Sequence, residues 1–328
     1  MMSSSTSSRD LSRDLPPELP SDLPADGLRG VLAAALRAVP WLPSHRGVSR
    51  RLNRAWLARG AEPLVQAPMD LGHRLWVDLR TSSQFHAYYT GRYDSPFLTR
   101  LIRLFEPHSC MLDVGANVGF YTVPLAHAAR RVQGTLHAFE PLPANCERLN
   151  ENLELNRLER ELTLWRFGLS NEPRTARLTL REDFATGADT GNAAIVIGAE
   201  ADRNFAQVDI ELRTLDDFCD QQGLTRLDII KADIEGHEDL LLEGGQRSLH
   251  RWRPVLFLEV NKQYYRWRGV SLAERLAALL PENYLTLKSA EGKGERWQEI
   301  PNVDACERLD NVFIVPKERA LQVLQQLG

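Results

Sequence analysis

CMLDVGANVGFYTVPLAHAARR, residues 110–131, decides the fold. It joins a short apolar run, CMLDV, to a stretch with helical spacing, GFYTVPLAHAARR, through a turn marked by Gly115 and Gly119. The missing side chains at these glycines let a ligand approach the backbone, and the helix behind them offers unpaired N–H groups. A buried strand that runs into a tight loop and then a helix is the unit from which parallel sheets are built.

The same alternation continues outward. TLHAFE (135–140) reads as a second strand, and in LPANCERLNENLELNRL the residues Leu142, Cys146, Leu149 and Leu153 fall on one helical face. LTLWRFGL (162–169) reads as a third strand and is followed by an irregular stretch. LDIIKAD (227–233), a helix through HEDLLLEGGQRSLHRW and the strand PVLFLEV (254–260) come next, and late in the chain SLAERLAALL is helical while YLTLKS and NVFIVP are strands. The expected fold is α/β: a doubly wound, mostly parallel sheet covered on both faces, with ligands at the carboxyl ends of its strands.

At those ends the spacing Gly115-x-Asn117-x-Gly119 is not GxGxxG, and Asp113 stands two residues before the first glycine. A carboxylate beside a glycine loop suits a ligand with an ammonium group, and S-adenosylmethionine offers an ammonium, a carboxylate and a sulfonium. The second strand ends in Phe139-Glu140-Pro141. Glu140 can accept hydrogen bonds from both ribose hydroxyls of a nucleoside, or it can cap the helix that follows; the loop and Asp113 at the right distance favour the ribose. A nicotinamide-dependent oxidoreductase would share this sheet and Glu140.

Bulk properties narrow the classes. The 328 residues are 43% apolar and 26% charged, which is ordinary for a globular protein with a sizeable core. A net charge of −4 argues against nucleic acid as a partner. The four cysteines, Cys110, Cys146, Cys219 and Cys306, form no CxxC pair and read as reduced thiols of a cytoplasmic protein. No apolar run is long enough to span a membrane, and no basic-then-apolar secretion signal begins the chain.

The ends differ from the middle. Residues 1–26, rich in serine, proline and mixed charge, read as a disordered tail; their acidic residues set them apart from a transit peptide. Between Gly27 and Gly60 stand Arg29, Arg37, Arg46, Arg50, Arg51, Arg54 and Arg59 with no Asp or Glu. We therefore expect a basic helical segment over 27–87 and the catalytic domain over 88–328. Three readings of the arginines stay open: a solvated face packed on the main domain, contact with an anionic membrane surface, or a cover over a substrate cleft. If the membrane reading held alone, the protein would be a surface adaptor and not an enzyme.

LDVGANVGFYTVPLA, AFEPLPANCERLNENLELN, GLSNEPRTARLTL, LRTLDDFCDQQGLTRLDIIKADIEGHEDLLLEGG and NVFIVPK together resemble, in order, the blocks of the FkbM family of S-adenosylmethionine-dependent methyltransferases, over residues 88–316. The resemblance implies a Rossmann-like seven-strand methyltransferase sheet whose last strand, NVFIV, is antiparallel. It implies that Asp113, Gly115, Asn117 and Gly119 hold the methionine end of S-adenosyl-L-methionine, that Glu140 takes the ribose, and that Gly168, Leu169 and Asn171 lie near the adenine. It also implies methylation of a hydroxyl on a sugar, glycolipid or secondary metabolite, with N-methylation of a small molecule as the alternative.

Methyl transfer is an in-line displacement, and a hydroxyl acceptor must lose a proton by its end. Asp233 and Glu235 after the fourth strand, and Glu259 with Asn261 after the fifth, are the candidates for catalysis. Lys231 reads either as a carboxylate holder or as a lysine reaching out of its strand. Glu238 reads as a first-turn acid, and His237 reads either as a base titrating near neutrality or, the commoner case, as an exposed first-turn histidine. Asp233, Glu235, His237 and Glu238 lack any metal-ligand spacing, so no metal is expected. Asp233-Ile234-Glu235-Gly236 replaces the Asn/Asp-Pro-Pro-aromatic signature of enzymes that grip a nucleobase amine. Of the aromatics Phe85, Tyr88, Tyr89 and Tyr93, each reads as acceptor-pocket lining or as packing, with packing the commoner case. Nothing in the sequence fixes the oligomeric state.

Overall fold

Two helices, Leu28–Ala38 and His45–Leu57, lead into an antiparallel hairpin of β1 (Leu64–Pro68) and β2 (Arg74–Asp78). Helices Ser82–Thr90 and Ser95–Arg103 follow. The large sheet then begins with β3 (Cys110–Val114), β4 (Thr135–Phe139) and β5 (Thr163–Trp165). β6 (Gly168–Ser170), β7 (Arg174–Leu180), β8 (Ala193–Ile195) and β9 (Gln207–Thr214) form a separate sheet. β10 (Ile229–Ala232), β11 (Val255–Asn261), β12 (Tyr284–Ser289), β13 (Trp297–Ile300) and β14 (Leu309–Pro316) complete the large one. The computed structural model describes residues 27–39, 45–180, 182–188, 190–195, 205–290 and 296–328, so the tail expected over 1–26 lies outside the described residues.

The large sheet runs in the order β13-β12-β14-β11-β10-β3-β4-β5. From β5 to β11 all neighbours are parallel, and β14 is antiparallel to both β11 and β12. NVFIV is thus the antiparallel strand that was expected. The sheet carries one more strand than expected: β13 pairs antiparallel with β12 and takes up its outer edge. Strand order reverses between β3 and β10, and a crevice opens at such a switch point beyond the carboxyl ends of the strands.

Pleating distributes the side chains to two cores. Met111, Ile229 and Phe257 pack with Leu101, Val123 and Leu125 on one face, and Leu112, Ile230 and Leu256 pack with Phe218, Leu241 and Leu249 on the other. The sheet is doubly wound and Rossmann-like, the arrangement expected from the sequence.

Four segments differ from the sequence expectation. Residues 27–87, expected to be helical, carry the antiparallel hairpin of β1 and β2 over 64–78 between their helices. LTLWRFGL is two strands: the Trp165 carbonyl receives the Glu140 N–H at 3.0 Å as β5 ends, and Gly168 starts β6 with no room for a Cβ, which would lie 2.7 Å from Leu212 on β9. The helix expected through HEDLLLEGGQRSLHRW is two helices, Glu238–Glu243 and Gln246–Trp252. The break falls at Gly244-Gly245, where a Cβ on Gly244 would sit 2.0 Å from the Ser170 carbonyl oxygen and one on Gly245 2.5 Å from Leu215. The stretch read as irregular after residue 169 contains β7, β8 and β9, and β7 and β9 alternate apolar residues with polar or charged ones.

Candidate active site

Charged residues in buried strands must find partners. Asp113 on β3 and Lys231 on β10 are directly paired in the parallel register, and the pleat puts both on the same face. The Lys231 ammonium lies 3.0 Å from Asp113 Oδ1, donates to the Gly115 carbonyl at 2.9 Å and sits 5.2 Å from the centre of the Tyr121 ring. Thr122 donates to the other Asp113 oxygen at 2.6 Å. Burial opposes the lysine charge, but Asp113, Asp233 and Glu259 outweigh it and hold its pKa above the usual value. Lys231 therefore holds a carboxylate of the protein itself and does not reach out to solvent.

Beyond this pair lies a cavity lined by Gly115, Asn117, Glu140, Gly168, Leu169, Lys231, Asp233, Glu235, His237 and Glu259, with Tyr93, Phe120 and Tyr121 at its side. The Gly115 loop is bent back onto β4, its Gly115 and Ala116 N–H groups donating to the Phe139 carbonyl at 3.0 and 2.9 Å. Gly115 has φ +79, and a Cβ there would lie 2.0 Å from the Asp233 carbonyl oxygen, so only glycine lets β3 and β10 close on each other at this point. Asn117, at φ 49, turns its N–H onto Glu140 Oε2 at 2.9 Å.

Glu140 is buried and accepts also from the Leu142 N–H at 3.0 Å and Asn145 Nδ2 at 3.3 Å, both on Oε1. Burial raises its pKa, and these donors act in the opposite direction. It serves as a helix-start acceptor, and it also faces the cavity. Three of the four acceptor sites of the carboxylate are taken, two on Oε1 and one on Oε2, so one site on Oε2 remains for an incoming hydroxyl and the two roles do not exclude each other.

Not every residue assigned to the cofactor borders this cavity. Asp113 is fully buried behind the loop, and its carboxylate is taken by Lys231 and Thr122. Gly119, at φ +101, serves packing, since a Cβ there would lie 2.6 Å from Leu149 Cδ1. Asn171 lies past the end of β6, its Cα 3.1 Å from where Gly244 would carry a Cβ, and is not in the lining.

The three residues named for catalysis meet at one wall. Burial first, then the charges of Asp233, Glu235 and Glu238 and a hydrogen bond with Asp233, push Glu259 well above the usual carboxylate range. Glu235 adopts φ 55, a left-handed conformation rare outside glycine and often found at functional turns. Tyr93 stacks on Phe120 at 4.1 Å, while Tyr88 and Tyr89 are core and Phe85 lies elsewhere.

Three groups stand where the sequence reading did not place them. His237 is buried, not exposed: it lines the cavity, its Nδ1 has no hydrogen-bond partner among the described residues, and burial with nearby Arg268 lowers its pKa to about 4. It is neutral at pH 7. Glu238 is also buried, receiving the Ile234 N–H at 3.0 Å and the Tyr265 hydroxyl. Asp94, with φ 46, receives the Tyr121 hydroxyl at 3.2 Å and has its pKa raised by burial and by Asp233. The signal available for His237 and Glu238 was their place directly after a buried strand end. Asp94 carried none.

Burial raises the Glu238 pKa from 4.5 to about 7. The folded state thus holds this proton more tightly than the unfolded chain, so its stabilisation is complete below about pH 4.5 and lost as pH rises to about 7. The stability difference between the native protein and Glu238→Gln is therefore expected to be larger in favour of the native protein at pH 5 than at pH 8. Urea unfolding at the two pH values checks this, and a difference independent of pH would contradict it.

Among the described residues no group of three or more His, Cys, Asp or Glu side chains is placed to hold a metal ion, and no helix is long and apolar enough to cross a membrane.

Residues 113–288, more than half of the chain, match the family described as the Methyltransferase FkbM domain. Methyltransferase sdnD of Sordaria araneosa is 30% identical over 52% of this chain and 71% of its own length. The 2-O-methyltransferase NoeI of Sinorhizobium fredii is 26% identical, covering 59% of this chain and 80% of its own. The crystal structure of methyltransferase FkbM from Methylobacillus flagellatus superposes with a TM-score of 0.40 at 18% identity, covering 70% of this chain and 52% of that one.

Proposed function

Since the chain belongs to the FkbM methyltransferase family, we propose that it moves a methyl group from S-adenosylmethionine to a hydroxyl of a sugar, glycolipid or secondary metabolite. The observation that carries this reading is the single cavity in which the glycine loop, Glu140 and the acidic wall of Asp233, Glu235 and Glu259 meet. The 2-O-methyltransferase among the relatives supports a hydroxyl acceptor.

In this reading the Glu140 carboxylate holds the ribose diol, and Gly168 and Leu169 flank the adenine. The Gly115 and Asn117 backbone receives the methionine end, with Asp113 acting on it through Lys231. The donor brings a positively charged sulfur, and the acids around it lower the energy of that charge in the cavity. The acceptor enters between Tyr93 and the acidic wall. Its hydroxyl oxygen attacks the methyl carbon in line, the carbon–sulfur bond breaks with its electron pair going to sulfur, and the hydroxyl proton passes to a carboxylate. Glu235 is assigned that proton, because it borders the cavity at a turn held in the left-handed conformation, φ 55. The neutral His237, whose Nδ1 has no hydrogen-bond partner among the described residues, adds a contact to the bound molecules. The protein works where its donor is made, in the cytoplasm.

The same acidic wall would also hold an amine as its ammonium form, so N-methylation is the second reading. An amine loses its proton to water before attack, and its rate would rise with pH to the amine pKa whether or not Glu235 is present.

Calorimetry with S-adenosylmethionine against NAD tests the donor: no binding of S-adenosylmethionine would end this reading. For the base, Glu235→Ala is expected to lower turnover about 100-fold or more while the donor dissociation constant stays within about threefold. Turnover that does not change would remove Glu235 from catalysis.

A further inference from the structure

A second cleft, of about 750 Å³, opens between helix His45–Leu57 and the start of helix Ser82–Thr90. Arg46, Arg50 and Arg54 line it, at four-residue steps that place all three guanidinium groups on one helical face. Eight residues at 1.5 Å each spread them over about 12 Å. Asn53, Thr81 and His86 supply neutral polar groups to the same walls.

Several other arginines of the chain are partnered. Arg29 and Arg37 turn inward onto the carbonyls of Glu62 and Tyr88, and Arg80 at the cleft edge is neutralised by Asp78 at 2.6 Å. Arg130, Arg226, Arg253 and Arg268 all reach carboxylates. Arg46, Arg50 and Arg54 are exposed and make no ion pair among the described residues, and no acidic residue stands anywhere between Gly27 and Gly60. Like charges at four-residue spacing destabilise a helix. An uncompensated row of them facing a concavity, in a protein of net charge −4, is explained by an anion that completes the site.

We propose that this cleft binds a phosphate or diphosphate group, with the guanidinium forks of Arg46, Arg50 and Arg54 as its principal ligands. Arginine matches phosphate geometry with paired donors, and three forks suit a group carrying two or more negative charges. A phosphorylated small molecule or a lipid headgroup would carry such a group. Thr186, in the cleft wall, and Asn192, in the donor cavity wall, belong to one short stretch of chain. The anion site itself does not depend on the proposed methyl transfer.

The test is titration calorimetry of the full chain with inorganic pyrophosphate, beside sedimentation with vesicles of phosphatidylcholine alone or mixed with phosphatidylglycerol. Saturable pyrophosphate binding is expected, weakened at least about tenfold in Arg50→Gln/Arg54→Gln and within about twofold of native in Arg51→Gln/Arg59→Gln, which removes the same charge away from the cleft. The melting temperature of Arg50→Gln/Arg54→Gln is expected to equal or exceed the native one, which separates loss of the site from loss of the fold. Vesicle binding that needs phosphatidylglycerol, is competed by pyrophosphate and is lost in the cleft variant assigns the phosphate to a lipid; pyrophosphate binding without it assigns a soluble ligand. No pyrophosphate binding, or equal weakening in both double variants, overturns the site. S-adenosylmethionine titrated into the same samples reports separately on the donor cavity, so failure of one reading leaves the other measurable.

Discussion

Replacing Lys231 by methionine is expected to cost about 3–5 kcal/mol of stability, the range for leaving one partner of a buried ion pair uncompensated. The substitution keeps most of the side-chain volume but strands Asp113, which has no exposure to solvent. A native domain has only about 5–15 kcal/mol in hand, so the variant should unfold at much lower urea concentration or fail to accumulate. The double variant Asp113→Asn/Lys231→Met should recover part of the loss, because it removes both charges. Urea denaturation of the four proteins in the cycle gives the coupling. A Lys231→Met protein within about 1 kcal/mol of native would show that the pair does not hold β3 to β10.

The second large effect is expected at Glu140. Its carboxylate accepts from the Asn117 and Leu142 N–H groups and faces the donor cavity. Glu140→Ala should raise the S-adenosylmethionine dissociation constant about 100-fold, or about 2.7 kcal/mol, as a charged acceptor is lost and the loop loses its tie to the following helix. Glu140→Gln keeps one acceptor oxygen but turns a donor toward either Asn117 or Leu142, and should fall between the two. Calorimetry at fixed ionic strength measures all three, and an unchanged constant in Glu140→Ala would take the ribose away from this residue.

Much of this could be read before any coordinates. CMLDV and TLHAFE are strands to within a residue, because a buried parallel strand is a short apolar run bounded by punctuation that a sequence displays directly. The glycine loop and Glu140 were legible for the same reason: they stand where strands stop. Depth was not. Asp113 reads as a ligand contact from its spacing, but its place in a strand sends it to the face where Lys231 is waiting, and that pairing joins residues 118 positions apart in sequence through register alone. The hint was that both strands carried one charge each, of opposite sign, inside apolar runs. His237 reads as exposed because a first-turn position is exposed on an isolated helix; here the helix Lys262–Arg268 and its Arg268 cover it. β7 and β9 escaped although Ala176, Leu178, Val208, Ile210 and Leu212 alternate with polar residues, because neither strand holds the continuous apolar run that marks the buried parallel strands.

Thr186 lines the anion cleft and Asn192, six positions on in sequence, lines a wall of the donor cavity, and this nearness in the chain has a thermodynamic consequence if the two sites are linked. If filling one cleft shifts the lining of the other, the change in free energy is a property of the pair and not of either ligand, so donor and anion must alter each other's affinity by one and the same factor. A protein that binds its anion first would then present a tuned donor site, and one that binds its donor first would present a tuned anion site, with no preferred direction at equilibrium. Four titrations, each ligand with and without the other, close that cycle; a factor of one would mean that the two sites are independent.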